Sequence, residues 1–159
     1  MIKCTFENGQ SAHLRHVTVD ALIEKDNRLL LVRRDPDFWV EPGKYVLPGG
    51  YLDRDETADQ GIVREVLEET GYRSNVIDLY FIIHQPRLQG DDRQNVGFIF
   101  RLEAKEQIQK PDHEIESVHW FDEHSLPTNE TIGFDHARII NTYLKHKQNS
   151  SGLPIINPF

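Results

Sequence analysis

Cysteine is almost missing from this chain of 159 residues, where Cys4 stands alone. One thiol cannot close an internal disulfide, so a reducing, cytoplasmic setting is expected. Long hydrophobic runs are missing too. Stretches such as Leu29-Leu30-Leu31-Val32 fall far short of the roughly 20 residues that a membrane span needs. No basic segment followed by an apolar one opens the chain, so neither a membrane partner nor a secretory signal is expected. Positive charge is in deficit: Lys and Arg number 18 against 26 Asp and Glu, a net charge of −8. Duplex nucleic acid needs a basic face, which argues against it as a partner. A small anionic substrate stays open, because a metal ion inverts the electrostatics of a carboxylate cluster. There is no GK[ST] phosphate loop and no GxSxG nucleophile turn. The eight histidines form neither HExxH nor a zinc-ligand spacing with cysteine. Repeats and Gly/Ser/Pro linkers are also lacking, so residues 1–159 read as a single domain.

What is present reads as strands first. His16 to Ile23 alternates and is rich in Val, Thr and Ile, and Arg28 to Arg33 carries a buried run after an Asp26-Asn27 turn. Residues 35–43 form a loop, and Tyr45-Val46-Leu47 is a short strand that stops at Pro48-Gly49-Gly50. The period then changes. Thr57 to Thr70 reads as a helix stopped by Gly71. Val76 to His84 and Val96 to Leu102 are expected as strands joined around Gly90-Asp91-Asp92, with Ile115 to Phe121 as another strand and Phe134 to Leu144 as a second helix. Glu7-Asn8-Gly9-Gln10 is a turn. The tail, about 148–159, led by Gln148 to Gly152, is open to fraying. Its apolar Ile155, Ile156 and Phe159 either dock on the domain or meet a second subunit in a homodimer. The fold class is α/β or α+β, with helices layered on a sheet.

The first helix carries the chemistry. Glu65, Glu68 and Glu69 stand at i, i+3 and i+4 and share a face. Ile62, Val63, Val66 and Leu67 are placed on a largely opposite face, against the sheet. Like charges at these spacings repel by a few tenths of a kcal/mol per pair, and clustered carboxylates suit a hard cation such as Mg²⁺. The bland reading is a solvated amphipathic helix. What precedes the helix shifts the balance: Gly50, five residues, Glu56, seven residues, Arg64-Glu65, then Val66, Glu68-Glu69 and Gly71. This resembles the box of the Nudix hydrolase family, G-x5-E-x7-R-E-U-x-E-E-x-G-U, with U bulky and apolar. At about 7% background per letter, seven fixed matches arise by chance about once in a hundred million start sites. Tyr72 fills the last U. Gly61 lies inside the helix at about 1 kcal/mol against Ala, which leads us to expect another backbone passing close by. The strand ending in Arg33-Arg34, Pro48-Gly49-Gly50 and the late Trp120-Phe121 extend the resemblance over residues 16–145.

The resemblance implies an α/β/α sandwich around a mixed sheet, with the box (50–72) as a loop-helix-loop. It implies a metal-dependent hydrolase that cleaves a nucleoside diphosphate linked to another moiety, using Mg²⁺, with Mn²⁺ as the substitute. Glu65, Glu68 and Glu69 are then metal ligands and catalytic residues, joined by the backbone carbonyl of Gly49. Arg64 holds a box glutamate in place and Glu56 supports that arrangement. Glu114 resembles the loop glutamate of MutT-type members and is expected as a further ligand or the general base. Glu65 is the alternative base, and Glu116 competes with Glu114. On the substrate side, Arg34 is a candidate for phosphate, and Phe38 and Trp39 for stacking a base. Pro86, fourteen residues past the box, stands slightly before the proline that ADP-ribose pyrophosphatases carry. The tyrosine of dinucleoside polyphosphate hydrolases is not there. His136 opens the final helix, where a capping or surface role is expected. ADP-ribose or a related nucleotide sugar is the leading substrate. A MutT-like activity on oxidised nucleoside triphosphates is the alternative, and a non-catalytic nucleotide-sensing domain is the reading from another class.

Overall fold

The computed structural model describes residues 2–86, 94–147 and 152–159. Strands β1 (Ile2–Thr5) and β2 (Ser11–Leu14) form a hairpin that pairs only with itself. The remaining elements among the described residues are β3 (Val17–Lys25), β4 (Arg28–Arg34), β5 (Tyr45–Val46), β6 (Gly49–Tyr51), α1 (Ala58–Thr70), β7 (Tyr72–Ile83), β8 (Val96–Gln107), β9 (Ile115–Asp122), α2 (His136–His146) and β10 (Ile155–Ile156), with a 3₁₀ turn at Asn129–Thr131.

Strand β3 is the hub. It runs parallel to β8 from Val17↔Val96 to Ile23↔Leu102, and antiparallel to β6 through Thr18↔Tyr51 and Asp20↔Gly49. It pairs with β4 only at their shared hairpin, Glu24↔Leu29 and Lys25↔Arg28. Past that point β4 diverges and pairs with β5 and β9. On the other side β7 lies antiparallel to β8, and β10 lies parallel to β7.

Side chains alternate across a strand, and the two cores follow from that. Val19, Ala21 and Ile23 of β3, with Leu30 and Val32 of β4, join Ile62 and Val66 of α1 in one cluster. Leu22 of β3 and Leu29 and Leu31 of β4 join Ile139, Ile140 and Tyr143 of α2 in the other. The apolar run Leu29 to Val32 is thus shared between both faces. A mixed sheet lies between two helices, as the α/β/α expectation requires. No helix among the described residues is long and apolar enough to cross a membrane.

The strands and both helices stand where the sequence places them, with shifted ends. Thr57 is the residue before α1, its N–H donating to Gln60 Oε1 at 2.9 Å. Strand β7 begins four residues earlier than expected, at Tyr72. Its register shifts near Tyr72/Ser74, Val76/Asp78 and Leu79/Phe81, and such bulges break the period-two pattern. The expected turn around Gly90-Asp91-Asp92 lies outside the described residues, as does the fraying expected at residues 148–151. The rest of the tail docks on the domain: Leu153, Ile155 and Phe159 pack against the α2 core, Asn157 N–H donates to Ile82 O at 2.8 Å, and Ile156 stays exposed.

Candidate active site

Helix α1 brings the box together. Ile62, Val66 and Glu69 stand at i, i+4 and i+7, so Glu69 belongs to the buried stripe. This corrects the expectation of an acidic face largely opposite the apolar one. The Glu69 side chain is 6% exposed and that of Glu65 13%, whereas Glu68 is half exposed at 47%. Gly71 ends the helix in the left-handed region at φ 74°, its N–H donating to Leu67 O at 2.9 Å. A Cβ at Gly71 would collide with the carbonyl of Gln109.

That contact joins the helix end to the loop that carries Glu114. Ile108 N–H donates to Gly71 O (2.8 Å) and Asp112 N–H to Glu68 O (2.9 Å). The Gln109 side chain reaches Leu67 O at 3.1 Å. Glu114 is then placed by its own N–H on Asp112 Oδ1 (3.0 Å) and by Asp35 N–H on its carbonyl (2.8 Å). Arg34, buried at the end of β4, links the two glutamates. Its Nη2 donates to Glu114 Oε2 at 3.3 Å, and its Nη1 lies 4.0 Å from Glu69 Oε1. Its Nε donates to Val40 O at 2.9 Å. Glu116, the competitor of Glu114, pairs instead with Arg33 at 2.8 Å.

On the other flank Arg64 gathers three carboxylates. Its Nη1 donates to Glu65 Oε1 (2.9 Å) and Glu68 Oε2 (3.1 Å), while Nη2 and Nε hold Glu56 at 2.7 and 3.1 Å. The arginine hydrogen bonds keep the Glu56 carboxyl below the usual range, although burial opposes them. Glu65 goes the other way. Burial pushes its carboxyl up despite Arg64, and Glu68 and Glu56 add repulsion. Burial pushes Glu69 well above the ordinary carboxylate range, with Glu65 and Asp112 adding to the rise. The Gly49 N–H, donating to Glu69 Oε2 at 2.9 Å, and the more distant Arg34 offset this only in part. Gly50 allows Glu65 to lie against the backbone, since a Cβ there would stand 2.5 Å from Glu65 Oε1. Gly61 meets side chains, Glu56 Oε1 at 2.8 Å and Leu52 Cδ1 at 2.9 Å from its would-be Cβ. The expected close backbone is therefore corrected to a pair of side chains.

Phe38 lies with its ring 4.4 Å from the Arg34 guanidinium, so one face of that ring is occupied. Trp39 is 82% exposed, 6.3 Å from Phe38 between centroids. Pro86 is exposed just beyond β7. His136 is not at the surface: it is 6% exposed, its Nδ1 accepts the Leu47 N–H at 2.9 Å, and its Nε2 lies 3.3 Å from Asp20 Oδ1. Its expected capping or surface role is corrected. Asp20 was missed at the sequence level, although an acid inside the alternating run Val17 to Ile23 is the signal that marks it.

The donors on α1 and the Gly49 carbonyl are hard oxygens, the set that suits Mg²⁺ or Mn²⁺ rather than a thiophilic metal. Among the described residues no three His, Cys, Asp or Glu side chains converge at ligand spacing. Here Arg64 and the Gly49 amide occupy the carboxylates instead. The donor chemistry fits a divalent cation: burial raises the Glu65 and Glu69 carboxyls despite Arg64 and Arg34, and such an ion brings the further positive charge that offsets it.

A family model described as NUDIX domain matches residues 14–143. The chain belongs to the Nudix family. The Nudix chain is 34% identical over 132 residues to an ADP-ribose pyrophosphatase of Methanocaldococcus jannaschii, covering 82% of this chain and 74% of that protein. It is 32% identical over 115 residues to a MutT-like protein of Streptomyces ambofaciens, covering 72% and 68%. A solved NUDIX hydrolase from Nitrosomonas europaea shares the fold at a TM-score of 0.76 and 24% identity, over 98% of this chain and 91% of that one. This Nudix protein is accordingly a pyrophosphohydrolase acting on a small nucleotide substrate, in a family that generally uses divalent metal ions.

Proposed function

We propose that the chain is a Mg²⁺-dependent hydrolase of nucleoside diphosphates linked to another moiety, with ADP-ribose or a related nucleotide sugar as substrate and Mn²⁺ as a substitute metal. In this reading residues 1–159 act as one domain. The observation that carries it is Glu69, a buried carboxylate beside Glu65 that only one amide and a distant guanidinium compensate. A carboxylate desolvated in this way is a poor structural element and a good ligand for a hard cation. The identity to an ADP-ribose pyrophosphatase supports the substrate class.

When bound, the cation neutralises diphosphate charge and makes water a stronger nucleophile. Glu65, Glu68, Glu69 and the Gly49 carbonyl would hold it, with Glu114 as a further ligand where it is not the general base. Each residue then has a separate task. Arg64, anchored by Glu56, sets the aim of Glu65 and Glu68. Glu114, at the solvent edge, takes the proton of the attacking water, and Glu65 is the alternative base. Arg34 balances charge on Glu69 and Glu114, and faces a substrate phosphate by exchanging Glu114 for it. Trp39 offers an exposed ring to a base, while Phe38 backs Arg34.

The test is a phosphate-release panel in Mg²⁺ with ADP-ribose, other nucleotide sugars, dinucleotides and nucleoside triphosphates, a coupling phosphatase and an EDTA control. EDTA-sensitive conversion of ADP-ribose to AMP is the expected result. Preference for triphosphates would move the assignment to the MutT-like reading, which the Streptomyces relative supports.

A further inference from the structure

The segment Leu47-Pro48-Gly49-Gly50 enters the box and is gripped from three sides. Pro48 O accepts Ala21 N–H at 2.8 Å from β3. Gly49 N–H donates to Glu69 Oε2 at 2.9 Å, from the α1 face of the sheet. Leu47 N–H donates to His136 Nδ1 at 2.9 Å, from the α2 face. Two side chains on opposite layers thus accept amide protons two residues apart, Leu47 in the link after β5 and Gly49 at the start of β6. Because Nδ1 accepts, the ring proton sits on Nε2, which lies 3.3 Å from Asp20 Oδ1. Asp20 is itself the register partner of Gly49, with its Oδ1 only 2.9 Å from where a Gly49 Cβ would stand. Both groups are secluded, the side chains being 8% and 14% exposed.

We propose that His136 and Asp20 form a positioning clamp for the reaction: Asp20 fixes the imidazole tautomer, and His136 Nδ1 fixes the Leu47 peptide, which sets the direction in which Gly49 meets Glu69. The clamp rests on the reading of Glu69 as part of the catalytic site. Neither residue touches substrate in this account; they act through the backbone of residues 47–49. A buried amide left without its acceptor is destabilised and seeks another partner, and the peptide that turns is two residues from Gly49. Misplacement of a reacting group by about 1 Å costs about 10²-fold in rate. The effect is therefore expected in kcat rather than in substrate affinity.

The experiment compares wild type with His136→Ala, His136→Asn and His136→Gln. Wild type is first assayed on the phosphate-release panel, and a silent wild type would count against the proposed activity and not against the clamp. The clamp itself is read by amide hydrogen exchange at Leu47 and Gly49 in metal-free protein, which needs no activity. In His136→Ala, exchange is expected to rise at both amides, and kcat to fall about 10²-fold with KM little changed. His136→Asn, whose side-chain oxygen reaches the place of Nδ1, is expected to recover most of kcat and of the protection at both sites. His136→Gln, whose amide mimics Nε2, is expected to stay slow. An Ala variant that exposes Leu47 but leaves Gly49 exchange and kcat at wild-type values overturns the clamp. Should His136→Ala not fold, equal kcat in the Asn and Gln variants would overturn it by itself.

Discussion

Glu24 and Glu69 are both carboxylates drawn towards the interior beside a helix, and their surroundings push them in opposite directions. Glu24, near the end of β3, faces α2. Burial alone would raise its carboxyl, but the Tyr143 hydroxyl at 2.6 Å and Lys147 Nζ at 3.2 Å outweigh burial and hold it below the usual range. Lys147 also bonds Glu123. Among the described residues Glu69 has no cation in hydrogen-bond contact, and burial wins. The first carboxylate is matched in charge and hydrogen bonds, which is what a structural group needs. The second is held in place but left undercompensated. The C-terminal end of helix α2 thus completes the fold, while α1 gives up some stability to hold a site, a division found where function competes with packing.

Glu69→Gln breaks the comparison most sharply. Turnover is expected to fall by about 10³-fold or more, the scale of losing a preorganised charge, with the circular dichroism spectrum unchanged. Wild-type turnover would remove Glu69 from the site. In EDTA the same variant is expected to be more thermostable than wild type at pH 8. The sign follows from the raised folded pKa: the favourable contribution of Glu69 is complete below its unfolded value of about 4.3 and is lost as pH rises through the folded one.

Arg64→Ala comes next. It frees Glu65 and Glu68 without touching either carboxylate, and the loss expected is about 10- to 100-fold in kcat/KM or metal affinity. Arg64→Lys is expected to recover little, because one ammonium cannot replace a fork that meets Glu56, Glu65 and Glu68 together.

On the structural side, Tyr143→Phe removes one charge-assisted hydrogen bond to Glu24. Urea unfolding is expected to show a loss of about 1–2 kcal/mol, with kcat unchanged. For Glu24 the pH dependence has the opposite sign to that of Glu69. Its folded pKa is lowered, so its stabilisation is present above about pH 4.3 and is lost as pH falls through the folded value. Glu24→Gln is expected to flatten that acid limb. The smallest effect is expected for Trp39→Ala: unchanged stability, since the ring is exposed, and a rise in KM of about 2- to 10-fold if the ring stacks a base. An unchanged KM would remove Trp39 from the substrate side.

The elements read most easily from the chain are those whose pattern is local. The alternation in β3, the run in β4 and the Gly71 stop of α1 follow from side-chain period and backbone freedom. Strands β1 and β2 were legible only as the turn between them. Strand β6 was not legible at all, because Gly49-Gly50-Tyr51 has little strand propensity of its own and becomes a strand by pairing with β3. The short β10 likewise exists through its pairing with β7.

The box shows the same division. Its spacing on a helix is covalent information, so Glu56, Arg64, Glu65, Glu68 and Glu69 could be named from the sequence by themselves. The sequence also determined the excess of acid, the lone thiol and the two amphipathic helices. Only the tertiary structure decided that Glu69 is buried, that Arg34 stands between it and Glu114, and that His136 reaches Leu47 and Asp20 across the sheet. These relations join residues far apart in the chain, and burial, with the charge state that follows from it, belongs to the layers that close over a residue and not to the residue itself.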